Sequence, residues 1–137
     1  MPANTAPIFT KIADVQWITG TTLNNTYDLT SGTINLLFTS DATNGGYIQR
    51  IRFKALGTTA ATVARVFINN GSTTNTGTNN ILWDEISLPL VSASATAASA
   101  TYELPMNIPL PAGYRIYVAF GTAASAGWAM TVIGGKY

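Results

Sequence analysis

The stretch Tyr47-Ile48-Gln49-Arg50-Ile51-Arg52-Phe53-Lys54-Ala55-Leu56 alternates with a period of two. Ile51, Phe53 and Ala55 share one side, and Arg50, Arg52 and Lys54 share the other. Successive side chains of an extended chain point to opposite faces, so the pattern predicts a strand with one dry face and one basic face. A strand of this kind must bury its dry face against another layer, which points to an all-β protein built from packed sheets.

Working outward, the same reading recurs on both sides. Val15 to Thr19, Thr33 to Thr39 and Thr62 to Asn69 are β-branched or aromatic runs bounded by Gly, Asn, Thr and Ser clusters, the signature of strands joined by turns. In the third run Ala64, Val66 and Ile68 oppose Val63, Arg65 and Phe67, and pairing with its sequence neighbour would bring Arg65 close to the basic row. Asn70 to Asn80 reads as an exposed polar loop. Ile81 to Val91 is interrupted by Asp84, Glu85 and Pro89, and Tyr102 to Pro109 carries Pro105 and Pro109. A proline cannot donate to a ladder, so these two runs belong at sheet edges or bulges. Ser92 to Ala100 has no apolar period and reads as a connection. Tyr114 to Phe120 and Trp128 to Ile133 alternate clearly, and a terminal strand this apolar is expected inside a sheet. Gly45-Gly46 and Gly134-Gly135 read as turns. The sum is a single antiparallel β-sandwich of about eight strands over residues 14–137, the usual range for jelly rolls. Residues 1–13, with Pro2 and Pro7, read as an extended arm anchored by Ile8 and Phe9.

Composition narrows the chemistry. The 137 residues contain no histidine and no cysteine, which removes imidazole bases, thiolate nucleophiles, disulfides and the usual His or Cys metal sites. Charged residues are only 9% of the chain, far below the roughly one quarter of typical soluble domains. A net charge of +1 gives no strong field for nucleic acid or anionic lipid. Met1 to Pro7 lacks a basic region followed by an apolar run, so no secretory signal is expected, and no apolar run approaches membrane-spanning length. Asp84, Glu85 and Glu103 are the acidic residues of the second half. Asp84 and Glu85 are adjacent on a strand and point apart, so they cannot flank one bond. No catalytic residue, metal site or cofactor is therefore assigned, and the protein is expected not to be an enzyme.

The basic row is the charge feature that stands out. Arg50, Arg52 and Lys54 suit a solvated face, an ionic contact with a neighbouring protein, or a nucleic-acid groove. The last wants aromatic residues on the same face, where Ile48 and Leu56 stand instead. Trp17, Trp83 and Trp128 are candidates for stacking on sugars, although aromatic residues on strands more often anchor cores or interfaces.

Together with the arm, the strand count and the Ala/Thr/Ser/Asn-rich composition, one segment carries a family resemblance. Leu110-Pro111-Ala112-Gly113-Tyr114-Arg115-Ile116-Tyr117-Val118, followed by a Gly-Trp strand and a Gly-Gly-Lys-Tyr tail, resembles the small β-sandwich head-decoration or cement proteins of tailed bacteriophages. That resemblance implies a jelly-roll-like sandwich, commonly a homotrimer, made in the host cytoplasm and seated on the outer capsid surface of the virion. Its partner is then the major capsid protein, which it clamps, and direct nucleic-acid or membrane contact is not expected. Candidate capsid or subunit contacts are Ile8, Phe9, Lys11, Arg50, Arg52, Lys54 and Arg65. The competing reading is a receptor- or glycan-binding module of a tail fibre or adhesin.

Overall fold

Residues 9–73 and 76–137 are described in the computed structural model, and they form eight strands with no helix among them. In chain order these are β1 (Ile12–Gly20), β2 (Asn35–Thr39), β3 (Gly46–Ala55), β4 (Thr62–Asn69), β5 (Asn80–Leu88), β6 (Thr101–Leu110), β7 (Arg115–Phe120) and β8 (Trp128–Lys136). They build a front sheet in the order β1-β8-β3-β6 and a back sheet in the order β2-β7-β4-β5.

The order has a simple logic. Strands pair as β1 with β8, β2 with β7, β3 with β6 and β4 with β5, all antiparallel. These nested pairs are one long hairpin rolled up, with β3–β8 and β4–β7 contacts completing the sheets. The result is the eight-stranded jelly roll. Its edges are β1 and β6 in front, β2 and β5 behind. The proline-bearing β6 lies at an edge, as a strand lacking ladder donors must. β5 is an edge strand too, and an extra residue at Trp83 shifts its register against β4 between Val66 and Phe67. The apolar β8 sits inside the front sheet between β1 and β3.

Three sequence expectations change. First, β3 and β4 are in different sheets, because residues 56–61 carry the chain across the sandwich and make no hairpin. Arg65 is consequently in the back sheet, away from Arg50, Arg52 and Lys54. Second, the β3 register shifts between Ile48 and Arg50 against β8, leaving Gln49 as an extra residue. This bulge turns Ile48 inward, so Ile48 and Ile51 are both fully buried although three residues apart. Third, Gly134 and Gly135 are not a turn; both lie within β8. A Cβ on Gly134 would stand 2.2 Å from the Tyr47 carbonyl oxygen, so the bare backbone lets β3 and β8 approach beside the bulge. Gly45 does occupy a turn, with φ of 72°. β1 starts at Ile12, earlier than Val15, and β2 starts at Asn35.

Between the sheets lies the main core, where Phe38, Phe53, Phe120, Trp128, Ile51, Met130 and Val132 are fully buried. Burying each such side chain is worth about 1.5–3 kcal/mol. Trp128 meets Tyr102 edge to face, with ring centroids 5.9 Å apart. On the open side of the roll, Gln16 joins the two sheets. Its side-chain nitrogen donates to the Thr39 carbonyl (2.9 Å) and its oxygen accepts from the Thr39 N–H (3.0 Å). One amide thus satisfies a donor and an acceptor of β2 that no neighbouring strand reaches.

Candidate protein-binding face

The two outer faces of the sandwich differ in kind. On the back sheet, β4 and β7 are apolar on both sides, and Phe67, Tyr117 and Ala119 form a second small core with Leu29. The connection 21–34 lies over this core. It is held by a bridge from Leu23 to Phe120 and by an N–H of Asn24 donating to the Phe120 carbonyl at 2.8 Å. Leu29 is fully buried at a φ of 59°, a conformation unfavourable for a leucine that its burial offsets.

Arg65 is a rivet in this cover. Its Nε donates to Glu85 Oε1 at 3.1 Å, Nη1 to Asn25 Oδ1 at 2.7 Å and Nη2 to the Tyr27 hydroxyl at 3.0 Å. The guanidinium carbon also lies 4.2 Å from the centre of the Tyr27 ring. Only 6% of the residue is exposed. With its donors engaged by its own chain, Arg65 holds the 21–34 connection down and presents no free cation to a partner.

No chain segment covers the front sheet in this way. Strand register places its outward side chains in rows across β1, β8, β3 and β6. One row reads Val15, Ile133, Arg50, Pro105; the next Trp17, Thr131, Arg52, Glu103; the third Thr19, Ala129, Lys54, Thr101. The half of the face on β1 and β8 is therefore apolar, and the half on β3 is basic. Trp17 is 73% exposed and Val15 47%. A shallow basin of about 580 Å³ runs between the halves, lined by Val15, Ile133, Thr131, Ala129, Arg52, Lys54 and Thr101.

Local interactions order the basic half without neutralising it. Glu103 Oε1 lies 3.5 Å from Arg50 Nε and 3.3 Å from Arg52 Nε. Such exposed pairs contribute roughly 0–1 kcal/mol to stability. Lys54 Nζ donates to the Ser99 carbonyl in the 89–100 connection. Three cations against one carboxylate leave the face two charges positive, in a chain whose total is +1.

The sequence candidates thus separate. Arg50, Arg52 and Lys54 stand together on the front face, whereas Arg65 is in the back sheet. Lys11 is exposed and its N–H donates to the Lys136 carbonyl at 2.8 Å, at the end of the front sheet. Phe9 is 77% exposed and lines a smaller hollow with Thr10, Tyr47 and Tyr137. Ile8 lies outside the described residues. Trp128 is core and Trp83 is on the β5 edge, so the three tryptophans make no common platform with Trp17. Val15 and Glu103 were not singled out as contact residues. Their signal is the inverted pattern of β1, Asp14-Val15-Gln16-Trp17, in which the polar residues turn inward and the apolar ones outward.

The acidic residues do not converge. Glu103 is on the front face with Arg50 and Arg52, and Glu85 is on the back with Arg65. Asp41 caps the turn before β3, accepting from the N–H groups of Asn44 (2.8 Å) and Thr43 (3.0 Å). Those bonds hold its carboxyl below the ordinary aspartate value. Among the described residues no three His, Cys, Asp or Glu side chains cluster as metal ligands.

Comparison with known proteins found no matching family model and no matching curated sequence. Two solved structures share its chain path at low identity. One is a chain of the cyanophage Pam1 capsid asymmetric unit, 13% identical with a TM-score of 0.43, covering 98% of this chain and 89% of that one. The other is from infectious bursal disease virus strain Gx, 13% identical with a TM-score of 0.31. That match covers 99% of this chain but only 38% of the viral one.

Proposed function

We propose that this chain is a non-enzymatic structural protein of a virion, and more narrowly a capsid decoration protein that bridges and stabilises major capsid subunits. The observation that carries the proposal is the asymmetry of the outer faces. The chain seals its own back sheet with residues 21–34, yet leaves Trp17 and Val15 in water on the front sheet beside three cations. An uncovered apolar patch next to ordered charge is what a protein interface looks like before its partner arrives.

The fold allows this role without choosing it, since eight-stranded jelly rolls occur as viral capsid and as lectin domains. The partner's identity rests on the family resemblance of Leu110 to Tyr137. Phe9 and Lys11 extend the contact at the arm end of the front sheet, with Ile8 ahead of them. Many copies, each making a modest contact, would together resist separation of the subunits they bridge. The homotrimer and the outer-surface location belong to the same proposal.

The test is binding of the purified chain to its cognate heads. Combining Arg52→Glu with Lys54→Glu is expected to weaken that binding about a hundredfold, since reversing charges in a contact costs several kcal/mol. The thermal midpoint should not move, because both side chains are on the surface. Unchanged binding would contradict the proposed face. A receptor- or glycan-binding role is the second reading, favoured by the 73% exposure of Trp17 beside Thr131 and Arg52. It would replace the first if the chain ignored heads but bound host polysaccharide and lost that binding on Trp17→Ala.

A further inference from the structure

We infer that an occupant of the basic half of the front face is a second copy of this chain, docked through its β5 edge. This names a partner for the face described above and rests on its reading as a protein-binding surface. The contact joins Arg52 and Lys54 of one protomer to the strip around Trp83 and Asp84 of the next.

The argument begins at the edges. β6 guards its free side with Pro105 and Pro109, whereas β5 has no proline in its span and leaves Ile81 63% and Trp83 45% exposed. A bulge and two adjacent carboxylates, Asp84 and Glu85, are what discourages careless pairing there. Two β5 edges meeting about a two-fold axis would set these carboxylates against their copies, which is unfavourable. The strip therefore calls for a basic surface with an apolar margin.

The front face supplies one. It is two charges positive, and its apolar half displays Trp17 and Val15. Asp84 accepts a bond from the neighbouring Glu85 N–H at 2.7 Å, and among the described residues it has no ion pair. Glu85, by contrast, is already held by Arg65. Exposed tryptophans on both surfaces provide the aromatic anchors typical of interface centres. Charge and apolar area thus match across two surfaces that one protomer cannot bring together, since they belong to different sheets. Such a contact is heterologous and builds a ring wherever the rotation closes.

Mass measurement of the full chain over a concentration series tests the contact, with head binding followed in parallel. Wild type is expected to self-associate, and Arg52→Glu with Lys54→Glu, or Asp84→Lys alone, should each weaken association about tenfold or more. The triple variant, with face and edge both reversed, should recover it. A monomeric wild type, an assembly indifferent to either one-sided change, or a triple variant without recovery would overturn the contact. A monomer that still coats heads would leave the decoration role standing. An assembling chain that ignores heads would sink the decoration role and spare the contact.

Discussion

Replacing Trp128 with alanine is expected to lower the unfolding free energy by about 3–5 kcal/mol, the usual range for emptying a large aromatic site in a core. Trp128 is fully buried at the start of β8, paired with Lys54 side neighbours through Ala55 and with Gly20 of β1. Its removal takes away the edge-to-face partner of Tyr102 and leaves a void where the sheets meet. Because domains of this size are stable by only about 5–15 kcal/mol, much of the margin would go. Trp128→Phe separates volume from chemistry. The indole Nε1 is buried without a hydrogen-bond partner, so phenylalanine keeps most of the packing and removes an unsatisfied donor. Its cost should stay below about 1.5 kcal/mol, as for other near-isosteric core changes. Urea denaturation of the two variants beside wild type measures both values.

Gly134→Ala should be nearly as damaging, at about 3 kcal/mol, for a different reason. The new methyl would meet the Tyr47 carbonyl oxygen at 2.2 Å and the Ile48 Cα at 3.4 Å, both backbone atoms that cannot swing aside. Strands β3 and β8 would have to part inside the front sheet, adding lost ladder bonds to the overpacking penalty. Gly77→Ala is the control, because its Cβ would meet nothing closer than 3.5 Å, and reduced freedom of the unfolded chain should make it neutral or slightly stabilising. Thermal unfolding of the pair decides the matter: equal midpoints would show that the close approach of β3 and β8 is not as described.

Much of this architecture was legible in side-chain alternation. Arg50, Arg52 and Lys54 stand outward on β3 as their spacing requires, and the prolines of β6 mark an edge. What alternation does not encode is which strand pairs with which. Arg65 was expected beside the basic row because β3 and β4 are neighbours in sequence, but rolling the hairpin sends them to opposite sheets. A single-residue bulge was equally silent: Gln49 flips Ile48 into the core, and nothing in its side chain announces that.

The covered back face did leave a trace. In β4 and β7, Phe67, Tyr117 and Ala119 make the supposedly outer side apolar as well, and a strand apolar on both sides is covered on both. The reverse holds in front, where Asp14 and Gln16 point inward and Val15 and Trp17 outward on β1. That inversion was the sign of a face reserved for something outside the chain. Its partner was not legible, because two surplus positive charges and an exposed tryptophan specify a kind of surface and not a particular protein.

A reconstruction of the assembled particle, at a resolution that shows side chains, bears most directly on whether this protein acts by presenting its front face to other subunits. Val15, Trp17, Arg52 and Lys54 should be found covered by neighbouring protein, with the 21–34 connection left toward solvent. Finding those four side chains in open water, with the contacts made by the back of the sandwich, would contradict the account.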